Sequence, residues 1–280
     1  MRVAIAIALT LLASSAPAFA QAPPPPAPID PPDPSPAIRL PVREVDRPLT
    51  LPRHVLSIDV TPYGGHGSYD GYGGLSLGAT FGITDDVEVW ASFVDLELAP
   101  SPFPYYSAAG VTARLVRGTF ELGLTGSAAF EMQAVYGAGL TFEVPMAVHL
   151  GSRAKLLVTP DVFVNIPFTS RESMSPGALL MVKTTGGAAL GLGLVGQVVD
   201  RLSLGANTGI TVSDFSDLTR GVAVPLGFSV HGTLAGEKGP SADLGPYFSW
   251  PALLQLGSSD RPSNPGVYQV GVALRGFVYL

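Results

Sequence analysis

From Tyr136 to Leu150 the chain alternates without a break. Tyr136, Ala138, Leu140, Phe142, Val144, Met146, Val148 and Leu150 are apolar. Between them Gly137, Gly139, Thr141, Glu143, Pro145, Ala147 and His149 are small, polar or ionisable. A period of two is a strand period, and a strand rises about 3.3 Å per residue. A run of this length exceeds the usual five or six residues of a strand in a soluble sheet. It is long enough to cross a bilayer at a tilt. One face suits hydrocarbon and the other suits water, which is the pattern of a transmembrane barrel wall.

The N-terminus predicts export. Arg2 is a basic start, Val3 to Leu12 an apolar core, and Ala18-Phe19-Ala20 a small-x-small cleavage site. Residues 1–20 therefore read as a cleaved signal peptide, with a mature chain from Gln21. The apolar core is too short for a spanning anchor. The chain has no cysteine, which excludes disulfides, a thiolate metal site and a lipid anchor on sulfur. Residues 21–53 begin with Pro23-Pro24-Pro25-Pro26 and read as a Pro-rich disordered linker. A spacer is the simpler reading of that tract, and a binding arm for a periplasmic partner is the other.

Residues 54–280 read as one domain. Leu56, Ile58 and Val60 alternate with Ser57, Asp59 and Thr61; Leu75 to Ile83, Val87 to Phe93, Val111 to Leu115 and Phe120 to Phe130 repeat the pattern. So do Leu156 to Phe168, Leu190 to Val198, Leu202 to Val212, Val222 to Val230, Leu244 to Leu256 and Tyr268 to Leu280. Turns are expected at Thr84–Asp86, Arg117-Gly118, Gly151–Arg153, Asp200-Arg201 and Gly236–Pro240, with longer loops at Pro62–Gly71, Ala99–Ser107, Thr169–Gly177 and Gly257–Pro265. A bulge is expected near Val94–Asp95, where the phase slips. Pro145, Pro160 and Pro225 cannot donate to a ladder and need a gap, a strand end or a bulge. The whole amounts to about twelve strands, an even number that puts both termini on the short-turn, periplasmic side. So many apolar rows cannot share one core, and in water they would leave oversized patches. The fold class is all-β: a transmembrane antiparallel up-and-down β-barrel, closed because a membrane tolerates no free sheet edge.

The stretch from Val55 to Leu280 resembles bacterial outer-membrane β-barrel proteins. The resemblance rests on the signal peptide, the alternating strands, hairpins such as Phe81-Gly-Ile-Thr-Asp-Asp-Val-Glu-Val89, and a final strand that stops at the C-terminus. It implies an outer-membrane location, the lipid bilayer as surroundings, and insertion by the barrel-assembly machinery. Many members end in phenylalanine, whereas this chain ends Phe277-Val-Tyr-Leu280. The net charge of −6 argues against nucleic acid as a partner.

Candidate function lies with the charges on the polar rows. With Arg117-Gly118 as the turn, Arg114 falls opposite Glu121; with Gly151–Arg153 as the turn, His149 falls opposite Lys155 and Glu143 opposite Asp161. Facing carboxylates raise one another's pKa or attract a cation, and a water-filled lumen solvates such groups in any case. No phosphate loop and no metal-ligand spacing is present, so no cofactor and no metal is expected. His54, His66, His149 and His231 lack the His-x-Ser-Asn-Gly context of outer-membrane phospholipases, and no catalytic residue is assigned. Three functions remain. One is a passive channel for small polar solutes, with Gly78, Gly82, Gly123, Gly191, Gly193, Gly205 and Gly271 leaving lumen space. A second is a structural or surface-binding barrel. Its contacts would be Tyr63, Tyr69, Tyr72, Tyr105 and Tyr106, which read otherwise as an interfacial girdle. A lipid-modifying enzyme is the third.

Overall fold

The computed structural model describes residues 39–66, 71–92, 96–97, 106–131, 137–167, 184–216, 222–256 and 267–280. Its strand segments are β1 (Val55–His66), β2 (Gly71–Gly82), β3 (Val87–Ser92), β4 (Leu96–Glu97), β5 (Tyr106–Val116), β6 (Phe120–Glu131) and β7 (Gly137–Glu143). They continue with β8 (Met146–Leu150), β9 (Ala154–Pro167), β10 (Thr185–Val199), β11 (Leu202–Val212), β12 (Val222–Gly236), β13 (Gly239–Leu256) and β14 (Tyr268–Tyr279). Each pairs antiparallel with its neighbours, and β1 pairs with both β2 and β14, so the sheet closes on itself. β3 and β4 share one edge of β2, while β7 and β8 together fill the space between β6 and β9. The wall is therefore a closed antiparallel barrel of twelve staves.

Proline chemistry accounts for the split stave. β7 ends at Glu143 and β8 starts at Met146, leaving Val144-Pro145 between them. Pro160 on β9 faces this gap, so two residues without an N–H share one break in the ladder. The nearby carbonyls are still used: the Val144 amide donates to Pro160 O at 2.9 Å and the Gly123 amide to Pro145 O at 2.7 Å. Pro225 sits at a register shift between Val224 and Leu226. All three prolines thus lie at irregularities, as a missing donor requires.

Burial is inverted relative to a soluble domain. On β10 Leu190, Leu192 and Leu194 are exposed, and the residues between them are glycine. Ile58, Leu124, Phe142, Val162, Val164, Leu204, Phe228, Val270 and Leu274 are exposed likewise. Buried side chains on the wall are largely polar, including Ser57, Thr112, Glu121, Thr125, Lys155, Gln197, Ser203, Thr233 and Asp243. An apolar outside and a polar inside identify the solvent outside as hydrocarbon. At one end of the outer surface Phe248 packs edge-on against Trp250 at 4.2 Å and stacks with Tyr268 at 5.8 Å, and Tyr268 stacks with His66 at 6.4 Å. These rings form an aromatic cluster on the described wall. Tyr69 and Tyr105 lie outside the described residues.

Some expectations shift. The expected loop Pro62–Gly71 is mostly strand, because β1 runs on to His66 and Pro62 pairs with Leu75. Arg114 lies opposite Gly123 rather than Glu121, since a bulge between Arg114 and Val116 offsets the register. Thr185–Gly187, which has no clear strand pattern, begins β10. The Val94–Asp95 bulge and most of the expected longer loops fall outside the described residues. Both ends of the wall meet at the short-turn end, where Val55 pairs with Tyr279 and the Leu280 amide donates to His54 O at 2.9 Å.

Candidate functional site in the barrel lumen

The lumen holds a segment of the chain itself. Residues 39–53, part of the stretch read from sequence as linker, lie inside the barrel at the end of the short turns. Val45 and Thr50 are each 1% exposed, which puts them among the most buried residues described. Apart from a 3-10 turn at Glu44–Asp46 the segment has no regular structure and adds no strand to the wall. Its backbone groups therefore need side-chain partners, because a buried N–H or C=O left unpaired is costly. The wall supplies them. The Val45 amide reaches Gln197 Oε1 on β10 at 3.4 Å, the Leu49 amide donates to Glu121 Oε2 on β6 at 2.9 Å, and the Leu51 amide donates to Glu88 Oε2 on β3 at 2.8 Å. Lys155 Nζ on β9 donates to Glu44 O at 3.0 Å and Arg47 O at 3.2 Å.

Arg47 is the centre of this seat. Its guanidinium is forked onto Asp243 of β13, with the Nη2 bond at 2.9 Å, and also meets Glu44 at 2.6 Å. Thr233 of β12 contributes its hydroxyl to both, 3.3 Å from Arg47 Nη2 and donating to Asp243 Oδ1 at 2.8 Å. The Phe277 ring on β14 lies 5.3 Å from the guanidinium carbon, within cation–π range. Leu40 joins Val55 and Phe277 in a buried apolar cluster, with Leu51 and Tyr279 against it. Turn residues hold the rest: Arg43 bonds Ser152 O and approaches Asp200, and Thr50 Oγ1 donates to Asp85 O at 3.0 Å. The wall has made room for the segment. A Cβ on Gly82 would lie 2.1 Å from Pro52 O, so glycine there permits the close approach of two backbones.

The six charged residues singled out from sequence separate into two groups. Glu121 gathers His149 Nε2 at 3.1 Å, Arg114 Nη1 at 3.5 Å and the Leu49 amide, so the expected contact of Arg114 with Glu121 forms despite the shifted register. His149 and Lys155 are cross-strand partners, yet the Lys155 ammonium turns to the carbonyls of the segment. Glu143 and Asp161 also face each other across β7 and β9. They stand apart from the seat, and neither joins an ion pair among the described residues. Asp161 accepts one bond from the Ala189 amide at 3.1 Å. Elsewhere in the lumen Asp59 pairs with Arg275. At the short-turn rim Arg117 and Arg114 converge on Asp86, and the hydrogen bond from Arg117 holds the Asp86 carboxyl below the usual carboxylate range.

Sequence reasoning missed Arg47, Asp243, Thr233, Gln197 and Phe277. Some of the expected lumen space is also filled. The Tyr247 ring covers Gly271, where a Cβ would lie 2.5 Å from it, and Ser229 Oγ covers Gly205. Near the segment lies a space of about 250 Å³ bounded by Glu44, Arg47, Ser57, Glu88, Lys155 and Arg275. A second of about 480 Å³ is bounded by Arg39, Asp46, Arg114, Glu121, His149 and the rim residues Gly118 and Gly151. Pro48 borders both.

No family model and no curated protein matches the sequence. Solved structures do match in fold. The chain is similar to the NanC porin at 8% identity, covering 79% of this chain and 99% of that one with a TM-score of 0.57. It is similar also to the KdgM porin, solved in complex with disordered oligogalacturonate, at 7% identity over 79% and 98% with a TM-score of 0.53. At such identities the likeness is one of architecture. The fold is that of the bacterial outer-membrane β-barrels.

Proposed function

We propose that this protein is a passive outer-membrane channel for small polar solutes, exported on a signal peptide cleaved after Ala20 and inserted by the barrel-assembly machinery. Its short turns face the periplasm in this reading. The observation that carries it is the inner face: a closed wall of twelve staves whose buried side chains are largely polar. Side chains just fill a barrel of about eight strands, so twelve leave room for solute. Glu143 and Asp161 give the lumen an acidic pair away from the seat, and one sign of charge along a pore sets its ion preference. The proposal contains no catalytic step.

Single-channel recording of the folded protein in planar bilayers tests it. Conductance with a weak preference for cations is expected, and Glu143→Gln with Asp161→Asn should reduce that preference without altering the heat-modifiable migration of the folded barrel. A folded protein that never conducts, even with residues 39–53 displaced, would leave the second reading, a structural or surface-binding barrel. The occupied turn-side lumen is the observation that favours that alternative.

A further inference from the structure

Residues 39–53 reach the wall on most sides of the barrel. Their contacts run through Val55 on β1, Glu88 on β3, Glu121 on β6, Lys155 on β9, Gln197 on β10 and Asp243 on β13. A segment touching staves on most sides of the barrel lies across the turn-side lumen. It is nevertheless held differently from a core element. Hydrogen bonds and ion pairs dominate its seat, its apolar contacts centre on Leu40, and it shares no ladder with the wall. Polar contacts of this kind exchange with water at modest net cost, whereas a packed apolar core does not. Cavities nevertheless adjoin the segment on two sides, although Val45, Thr50 and Pro52 are themselves fully buried. Its junction with β1 is a single residue, His54, at φ 62°, the one non-glycine residue with positive φ among those described. His54 is anchored to the wall by its own amide, which donates to Gly82 O at 2.9 Å, and by its carbonyl, which accepts from Leu280. Motion of residues 39–53 can pivot there while β1 stays in place, once the turn bond from the Val55 amide to Pro52 O at 3.1 Å is released.

We infer that residues 39–53 are an autoinhibitory stopper, closing the turn-side mouth when Arg47 is seated on Asp243 and opening it by pivoting out about His54. This rests on the channel reading above. The segment leaves toward the short turns, where Arg39, Arg43 and Arg53 already contact Glu237, Ser152 and Asp85.

The full-length protein allows a direct test, because it contains no cysteine. Thr50→Cys with Asp85→Cys places two thiols where the Thr50 side chain now touches the turn, and a disulfide or short thiol crosslinker ties the stopper to the wall. Bilayer recording compares the tied and reduced forms of this variant, wild type, and Arg47→Ala, each verified as folded by heat-modifiable migration. Trypsin sensitivity after Arg43, half-buried in the seated segment, reports whether the segment is out. The tied form should stay closed and reopen on reduction. Arg47→Ala should spend about tenfold or more longer open than wild type, the factor carried by loss of one charge-assisted hydrogen bond. Equal conductance in all forms would overturn the stopper and leave the channel standing. Closure in all forms with the segment still protected in Arg47→Ala would make it a fixed filler, which also overturns the inference. Closure although trypsin cuts the segment would overturn the channel reading itself, and the stopper with it.

Discussion

Removing the carboxylate that receives Arg47 should loosen the segment by an amount the seat itself allows to be worked out. In Asp243→Ala the guanidinium loses both forked bonds and Thr233 loses its acceptor. The side chains of Arg47 and Asp243 are only 6% and 12% exposed, so water does not replace the lost partner in place. Breaking a buried pair at one end costs about 3–5 kcal/mol. Glu44 remains 2.6 Å from the same guanidinium and keeps part of the charge compensated. A loss of about 2–3 kcal/mol is the fitting expectation, the worth of charged hydrogen bonds rather than of a stranded ion. At 1.4 kcal/mol per factor of ten, this raises the unseated population roughly 30- to 150-fold. The barrel is spared the full penalty, because an unseated Arg47 returns to water instead of staying buried and unpaired. Limited trypsin digestion of the folded protein reads that population at the Arg43–Glu44 bond, whose two residues are half-buried in the seated segment, while Arg47 is followed by proline. Asp243→Asn, which keeps an acceptor but not the charge, should fall between wild type and alanine. Cleavage of Asp243→Ala at the wild-type rate would show that this pocket does not hold the segment.

Other expectations follow from the wall and its rim. Leu192 is 38% exposed at the centre of β10, so Leu192→Arg should destabilise the inserted barrel by about 2–4 kcal/mol in denaturant titration, the midplane cost of a cation in lipid. Asp86 is 36% exposed and its pKa is depressed, chiefly by its hydrogen bond from Arg117, so that bond stabilises fully above the ordinary carboxylate pKa of about 3.9 and is lost as pH falls through the lower folded value. Acid titration of stability should therefore show a small component below about pH 4 that Asp86→Asn removes, well under 1 kcal/mol given solvent screening. Epitope tags inserted between Gly64 and Gly71, Pro100 and Tyr106, or Ser258 and Asn264 should bind antibody on intact cells, whereas a tag in the Pro-rich tract should not; the opposite pattern would invert the topology.

The wall was legible because a strand in a membrane obeys two rules at once, period two and one uniformly apolar face. Leu190, Leu192 and Leu194 could be assigned to lipid from spacing alone, and they are exposed. Register was legible where a short turn fixed it: His149 with Lys155 and Glu143 with Asp161 are cross-strand partners as spacing requires. It failed at Arg114, because a bulge changes the count of residues without changing the apolar pattern that reveals a strand. The end of β1 failed for a different reason. Pro62 and the glycines after it read as loop, but the pairing of β1 with β2 tolerates them. Local propensity gave way there to the closure of the sheet.

The lumen segment was hidden because it follows no period. Its contacts use backbone amides and carbonyls, which every residue has, and its prolines at 41, 48 and 52 continue the look of the tract before it. A composition change was nonetheless present. Residues 39–53 carry Arg39, Arg43, Arg47 and Arg53 against Glu44 and Asp46, and they include Leu40, Val42, Val45, Leu49 and Leu51 with no glycine or serine. That is neither a flexible spacer nor a polyproline rod. The acidic wall residues then take on a second meaning. Parity shows which face a carboxylate occupies but not what it is paired with, and Glu88, Glu121 and Asp243 are occupied by the segment. A net-basic stopper on an acidic seat makes ion preference depend on state. While it is seated, Glu143 and Asp161 join no ion pair among the described residues, and Glu88 is met by the Leu51 amide. If it leaves as proposed, Glu88, Glu121 and Asp243 lose partners that the segment supplied, and single-channel reversal potentials of Arg47→Ala are expected to show a stronger cation preference than those of wild type.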